Sequence, residues 1–379
     1  MSTSTSSSPL TSNEVTTKTT SPIVGRNGRE LQIFLGGSCN PTTWRQNLAI
    51  PFLDTHGISY YNPQVENWTP EVIDVERHAK QNAQILLFVI DKQTRSTVSL
   101  VESAFMAGEN KNLVLVVNPF EDKSVSKDYE SETSAEEFQE LKHARHLLQS
   151  LVARRKIPMF SDILNALYYI SRSLRNESKS KEVLLDDENH LATDESPEFD
   201  GFDLRENVID LDTRPPSRPV NPTKDHEISR DVHIYLDEND PTNFKTTAID
   251  IFRGKQLTFS MKDVSSMTEA SIGDEIYKIK NSRVLLFVIT SQQRGLSTMV
   301  LASHLMSLYR DDVVLCVQYL EEPCYIGGEL LTKTAVADYN RGRVYLCDYA
   351  VKYQVPVFST FREAIDCCIR KCITNNKVT

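Results

Sequence analysis

The chain has 379 residues, of which 40% are hydrophobic and 25% charged, and its formal net charge is −10 at pH 7. This acidic balance argues against stable binding of nucleic acid, which needs clustered basic side chains. No apolar run approaches the roughly 20 residues of a membrane helix. The seven cysteines include no CxxC pair and no apolar signal core opens the chain, so we expect reduced thiols and a cytoplasmic (or nuclear) protein with no membrane contact.

Composition along the chain predicts four segments. Residues 1–29 are rich in Ser and Thr and are predicted to form a disordered tail. Residues 30–175 form a first domain, and residues 176–229 form an acidic disordered linker with prolines near its end. Residues 230–375 form a second domain. The tail and the linker are candidate sites for protein partners.

The first domain alternates strand-like and helix-like patterns. Five strands are predicted, at 31–37, 58–61, 85–90, 113–117 and 157–160. Helices are predicted at 43–55, 70–83, 97–109, 135–154 and 162–175. The strands are apolar on both faces, which is typical of a parallel sheet covered by helices on both sides. We therefore predict an α/β fold, a flavodoxin- or Rossmann-like three-layer sandwich with a parallel five-stranded sheet.

The second domain repeats this pattern in the same order. The segment RVLLFVITSQQR (283–294) parallels QILLFVIDKQTR (84–95), and VPVFSTFREAI (355–365) parallels IPMFSDILNAL (157–167), at a separation of about 198 to 201 residues. Such ordered matches predict two tandem copies of one complete domain. We expect the two domains to pair within the chain, or between chains.

Ligands of open α/β sheets bind at the carboxyl ends of the strands. The polar or small residues that follow strands of the first domain, together with those on the neighbouring helices, are Gly36, Gly37, Ser38, Asn62, Trp68, Asp74, Glu76, Ser96, Ser99, Glu102 and Asn118. Two carboxylates beside one crevice suit glycosidic chemistry, in which one acts as the nucleophile and the other handles the leaving group. The simpler interpretation is that Glu76 and Glu102 are solvated helix acids.

Four motifs extend this interpretation, namely FLGGS (34–38), YNPQVENWTPEVIDVE (61–76), ILLFVI (85–90) and TRSTVSLVESAFMAG (94–108). Together they resemble the nucleoside 2-deoxyribosyltransferase-like family. The resemblance implies that Glu102 is the nucleophile, with Gly108 as the small residue further along its helix. It implies that Glu76 helps to hold the nucleobase, with Asp74 in reserve. Ser96 departs from the family pattern, because transferases often carry Asp at this position.

The predicted function is cleavage or transfer of the N-glycosidic bond of a nucleoside or nucleotide, without metal or redox cofactor. Asn62 and Trp68 are expected to shape the base pocket, and Gly37 with Ser38 to approach the sugar or its phosphate. The family often completes each site with groups from a neighbouring subunit, a role open here to the second domain. The alternative is a catalytically inactive regulatory or scaffold protein that uses the fold for binding.

The second domain is predicted to be a degenerate copy. Leu301 or Ala302 stands where the first domain has Glu102, and YLDEN (235–239) replaces FLGGS. Glu275 keeps the position of Glu76, and without a nucleophile we expect it to be structural.

Overall fold

The computed structural model describes residues 31–65, 72–109, 111–120, 133–183, 230–238 and 241–375. The predicted tail, most of the predicted linker, the charged loop at 121–132 and Trp68 lie outside these ranges. The described residues contain two parallel five-stranded sheets with flanking helices. This architecture confirms the predicted fold class.

The first sheet has the strand order β2-β1-β3-β4-β5, all parallel. Its strands are β1 (Ile33–Gly37), β2 (Tyr60–Tyr61), β3 (Ile85–Ile90), β4 (Leu113–Val117) and β5 (Met159–Phe160). Its helices are α1 (Ile50–Thr55, after a π-helical turn at Arg45–Ala49), α2 (Val72–Asn82), α3 (Thr97–Gly108), α4 (Ala135–Arg154) and α5 (Ile163–Val183). Helix α5 therefore continues past the predicted domain boundary at 175.

The second sheet, read from its β7 edge, has the same arrangement, β7-β6-β8-β9-β12. Its strands are β6 (Arg230–Tyr235), β7 (Phe259–Lys262), β8 (Ser282–Ile289), β9 (Val313–Val317) and β12 (Val357–Phe358), and the antiparallel pair β10 (Tyr325–Ile326) and β11 (Glu329–Leu330) forms a separate hairpin. Its helices are α6 (Phe244–Gly254), α7 (Glu269–Lys280), α8 (Leu296–Leu308), α9 (Lys333–Lys352) and α10 (Phe361–Asn375), with a 3₁₀ turn at Val264–Ser266.

The strand ladders give the correspondence between the two halves. Ile33 pairs with Ile85 in the first sheet, and Val232 pairs with Val284 in the second. Both residues of the second pair lie 199 positions after those of the first. The same separation places Tyr235 at the position of Gly36 and Leu301 at that of Glu102. The sequence alignment of FLGGS with YLDEN was therefore wrong by two residues, because apolar strands offer several similar registers.

In each half, a buried arginine holds the loop that follows the central strand, β3 in the first half and β8 in the second. Buried Arg145 on α4 donates hydrogen bonds to the carbonyl oxygens of Asp91 (3.1 Å) and Thr94 (2.7 Å). Arg343 on α9 donates to the equivalent carbonyls after β8. Each guanidinium thus donates to loop carbonyl oxygens that the hydrogen bonds of the helices and sheets do not reach.

The two halves share an apolar core, and each half has a further one of its own. Helix α3 packs against α8 of the second half, and α4 and α9 flank this pair. At the crossing, a Cβ on Gly108 would lie 1.7 Å from Ser307 Oγ, so glycine permits the close approach of the helices. Ser303 Oγ donates to the carbonyl of Val101 (2.7 Å), and His304 Nδ1 donates to that of Ala104 (3.0 Å). The interface is therefore close-packed and hydrogen-bonded.

Candidate functional site

An acid pair with a shared cation lies between the halves. Glu76 and Lys80 stand one turn apart on α2, and Glu102 lies on α3. The Lys80 ammonium donates a short hydrogen bond to Glu102 Oε1 and lies 3.5 Å from Glu76 Oε2. All three side chains are buried. Two of the predicted site residues, Glu76 and Glu102, therefore meet at the Lys80 ammonium.

The local sequence explains this convergence. Residues four apart on a helix face the same side, so Glu76 and Lys80 project together. Helix α3 is almost wholly buried, since the apolar core surrounds it. An ionised carboxylate is costly in such surroundings unless it is paired, and Lys80 supplies the opposite charge. The Lys80 ammonium also lies 5.2 Å from the centre of the Phe34 ring, within range of a cation–π contact.

The second half closes the cluster from the other side. On α9, the Tyr345 hydroxyl donates to Glu76 Oε2 and the Tyr349 hydroxyl donates to Glu102 Oε1, each at 3.2 Å. The ring of Tyr349 stacks on Phe105 of α3, with centroids 4.2 Å apart. Five groups from both halves therefore form one buried site, the acid cluster, consisting of Glu76, Lys80, Glu102, Tyr345 and Tyr349.

The electrostatics of the acid cluster differ between its members. Burial raises the pKa of Glu76, Lys80 opposes this change, and the charge of Glu102 adds to it. Burial and the Glu102 carboxylate raise the pKa of Tyr349 well above its usual value. Within the described part of the chain, Glu102 Oε2 and Glu76 Oε1 accept no hydrogen bond. Each carboxylate thus has one oxygen that accepts hydrogen bonds and one that accepts none from the described residues.

Among the described residues, none of the other predicted site residues forms a hydrogen bond or ion pair with the acid cluster. Ser38 and Ser96 are joined through their hydroxyls (2.7 Å), and Ser38 Oγ accepts from the Asp91 backbone N–H (2.9 Å). Ser96 precedes α3 in a left-handed conformation, with φ 55°. These two serines therefore tie the ends of β1 and β3 together.

The two predicted glycines are the last two residues of β1, and they do not follow it. A Cβ on Gly36 would lie 2.6 Å from the ring of Phe88. Gly37 has φ 109°, and a Cβ there would lie 2.2 Å from the carbonyl oxygen of Val89. In this structure, the space that these glycines create is occupied by β3.

Three of the remaining predicted site residues have partners elsewhere in the first half. Asp74 is exposed and pairs with Arg77. Asn62 bonds to Gln64, and Asn118 donates to the Ser161 carbonyl. Ser99 is buried on α3, one turn before Glu102.

Sequence reasoning missed three members of the acid cluster. Lys80 could have been found, because it lies four residues after Glu76 in a predicted helix. Tyr345 and Tyr349 gave no such signal. They form an ordinary pair at helical spacing, and their partners lie 269 and 247 residues away in the chain.

A polar cavity of about 420 Å³ also lies between the halves. Its walls include Ser134, Glu137, Arg294, Glu329 and Thr332. Glu137 pairs with Arg95 of the first half, and Arg294 pairs with Glu329 of the second. None of the predicted site residues lines it, so its position gives no support to the predicted site.

A family match covers much of the first half. The family model described as nucleoside 2-deoxyribosyltransferase like matches residues 30–120. This match supports a nucleoside-related function and a nucleoside as the small-molecule partner. No match was found among curated proteins. A tandem origin of the second half stays a prediction.

One solved structure that aligns with the chain is the C-terminal domain of glucosamine-fructose-6-phosphate aminotransferase from Francisella tularensis. The alignment covers 87% of this chain and 87% of that one, with 10% identity and a TM-score of 0.17. At this TM-score, the likeness carries no argument about fold or function.

Among the helices that the structure describes, none has both the length and the apolar character needed to cross a bilayer.

Proposed function

Because residues 30–120 match the nucleoside 2-deoxyribosyltransferase-like family, we propose that the first half cleaves or transfers the N-glycosidic bond of a nucleoside or nucleotide. The observation that carries the proposal is the meeting of Glu76 and Glu102 on one cation, with one oxygen of each carboxylate not engaged. Two carboxylates in different environments are the arrangement that glycosidic chemistry uses.

In the proposed mechanism, Glu102 Oε2 attacks the anomeric carbon while Tyr349 and Lys80 hold Oε1. The bond to the base breaks, and a glycosyl ester forms on Glu102. Glu76 is the proton donor, because burial raises its pKa and so favours its protonated form. Its proton neutralises the departing base. Water, or a second base, then attacks the anomeric carbon, gives a proton to the Glu76 carboxylate and releases Glu102.

The binding roles in this proposal follow the family resemblance. Asn62 and Trp68 hold the base, and Gly37 with Ser38 approaches the sugar or its phosphate. The other proposed substrate contacts are Gly36, Asp74, Ser96, Ser99 and Asn118. Reaching Glu102 requires the substrate to displace part of the packing around the acid cluster, since all five members are nearly enclosed.

A second candidate function is nucleoside binding without turnover, as in a regulatory or scaffold protein. The ion pair between Lys80 and Glu102 favours it. A cation held against a carboxylate withdraws the charge that a nucleophile needs. For this function, the acid cluster stabilises the contact between the halves, and the ligand modulates that contact.

The test is to incubate the full chain with a panel of nucleosides and nucleoside monophosphates and to measure free base by chromatography. The proposal predicts turnover that Glu102→Gln lowers by at least about 100-fold, on the scale of losing an essential catalytic group. Glu109 directly follows the last residue of the same helix. Glu109→Gln is the matched control and should retain activity.

Binding, measured by calorimetry with the same panel, separates the two functions. A nucleoside that binds without release of base by wild type would favour the second function. Turnover that is equal in wild type and Glu102→Gln would reject Glu102 as the nucleophile.

A further inference from the structure

A hydrogen-bonded chain of serine, histidine and glutamate lies in the second half. His233 Nδ1 lies 2.5 Å from Ser260 Oγ, and His233 Nε2 lies 2.5 Å from Glu275 Oε1. The imidazole is fully buried, Glu275 is buried, and Ser260 is only half-buried. The three residues come from three elements, β6, β7 and α7.

The fold accounts for this meeting. His233 and Ser260 are direct partners in the parallel ladder between β6 and β7, so their side chains stand side by side on one face of the sheet. Helix α7 packs over that face and places Glu275 against the imidazole. Strand β7 is the edge of the sheet, which leaves the serine as the member of the chain nearest to solvent.

The hydrogen bonds fit one arrangement of the chain. Burial raises the pKa of Glu275, but its hydrogen bond to His233 lowers this pKa overall, with help from the charge of Lys278. The carboxylate accepts a hydrogen bond from His233 Nε2–H. His233 Nδ1 faces the Ser260 hydroxyl and is placed to accept its proton. A serine, a base and an acid that orients the base are the elements of an activated nucleophile.

We propose that Ser260, His233 and Glu275 form a second catalytic site, in which Ser260 is an acyl-accepting nucleophile for carboxylic esters. Ser260 Oγ attacks the acyl carbon, and its proton passes to His233 Nδ1. The ester C–O bond breaks, and the leaving alkoxide takes that proton. Water then attacks the acyl-serine with His233 again as the base, which releases the acid and restores the serine.

The first half provides an internal comparison. At the equivalent positions, separated by 199 residues, it has Phe34, Tyr61 and Glu76. Phe34 and Tyr61 are stacked aromatic rings with no base between them. The fold therefore does not require a histidine or a serine at this place, and their joint presence in the second half calls for a chemical explanation.

The test uses the full chain and a fluorophosphonate probe. Ser260 Oγ would form a bond to phosphorus as the P–F bond breaks and fluoride leaves, so no other reactant is needed. We expect about one equivalent of label, assigned to Ser260 by peptide mass spectrometry, and a burst of p-nitrophenolate from p-nitrophenyl acetate. Ser260→Ala should abolish both signals, and Glu275→Gln should slow labelling at least about 100-fold.

Ser265→Ala is the matched control. Ser265 is an exposed serine five residues further on, and its hydroxyl donates to Asp263 instead of an imidazole. It should label at the wild-type rate. Unlabelled wild type, or equal labelling of wild type and Ser260→Ala, would overturn the proposal. Nucleoside turnover in the same samples is independent of this result, because Glu102 lies in the other half.

Discussion

The two halves have the same strand order but neutralise a buried acid in different ways. In the first half, Glu76 shares Lys80 with a second acid, Glu102. In the second half, Glu275 pairs with His233 from the sheet, and Ile279 and Leu301 replace the lysine and the second acid. The comparison shows that both halves have a buried glutamate at this position of the fold. The side chain that pairs with the glutamate determines which chemistry is available.

The partners also differ in origin. The acid cluster of the first half is completed by tyrosines of α9, which belongs to the second half. The chain of Ser260, His233 and Glu275 lies entirely within the second half. The site of the first half therefore depends on how the halves dock, whereas the site of the second half does not.

The largest expected effect comes from removing the shared cation. Lys80→Met leaves two buried acids without a counter-charge, and we expect it to lower the free energy of unfolding by about 3–5 kcal/mol. Urea unfolding measures this change. Lys111→Met is the control, because Lys111 is exposed; a surface substitution changes stability by less than about 0.5 kcal/mol.

A double variant sharpens the same comparison. Lys80→Ile with Glu102→Leu copies the residues of the second half, Ile279 and Leu301. It should recover most of the lost stability, because apolar groups often replace a buried ion pair at little cost. If Lys80→Met alone unfolds at the wild-type urea concentration, then the ion pair does not support the fold.

The sequence predicted the sheets better than the site. The runs at 85–90 and 284–289 are apolar on both faces, so a central parallel strand was the natural interpretation. β2 and β5 are two-residue edge strands, and periodicity cannot define such short elements. That Glu76 and Glu102 lie beside one crevice was predicted from the carboxyl ends of the strands, and the family resemblance implied the role of each acid.

Other site residues were beyond sequence reasoning for a physical reason. Tyr349 reaches Glu102 only because α9 docks on α3, and a contact across 247 residues leaves no local pattern. His233 is a single polar residue between two apolar ones in β6. Its role depends on its ladder partner Ser260 and on Glu275, both far away in the sequence.

The next effect concerns pH at the contact between the halves. His304 is fully buried on α8, its Nε2 has no hydrogen-bond partner within the described residues, and burial lowers its pKa from 6.5 to about 4. The charge of Arg155, which follows α4, contributes in the same direction. A folded pKa below the unfolded one gives stability that is complete above pH 6.5 and is lost as the pH falls toward 4.

We therefore expect protonation of His304 to lower the free energy of unfolding by about 3 kcal/mol between about pH 7 and pH 4. A pKa difference of one between the folded and unfolded states corresponds to about 1.4 kcal/mol. Chemical unfolding across this range measures the loss. His304→Phe copies Phe105, the residue at the equivalent position of α3, and should flatten the acid side of the profile. An unchanged profile would contradict the assignment.

A smaller effect is expected where the helices cross. Gly108→Ala places a methyl group against Ser307 and the His304 carbonyl, and such overpacking costs about 1–3 kcal/mol. The matched control is Gly273→Ala on α7, where a Cβ meets no atom within 4 Å. That variant should gain about 0.5–1 kcal/mol from helix propensity. Equal effects of the two substitutions would mean that α3 and α8 do not pack closely.

The smallest effect concerns the ion pair that links α2 to α9. Arg77 Nη2 lies 2.6 Å from Asp348 Oδ2, with side chains 20% and 30% exposed. Solvent and salt screen such a pair, so Asp348→Asn should lower the free energy of unfolding by less than about 1 kcal/mol. The equivalent positions on α7 and α4 carry Ile276 and Ser150, so the link between α2 and α9 has no ionic counterpart there.

The difference between wild type and variant should vanish in about 1 M NaCl, where the screening length is only about 3 Å. A loss above about 2 kcal/mol that survives high salt, well beyond what an exposed pair contributes, would show that Asp348 acts through packing of α9 onto the acid cluster, rather than through its charge.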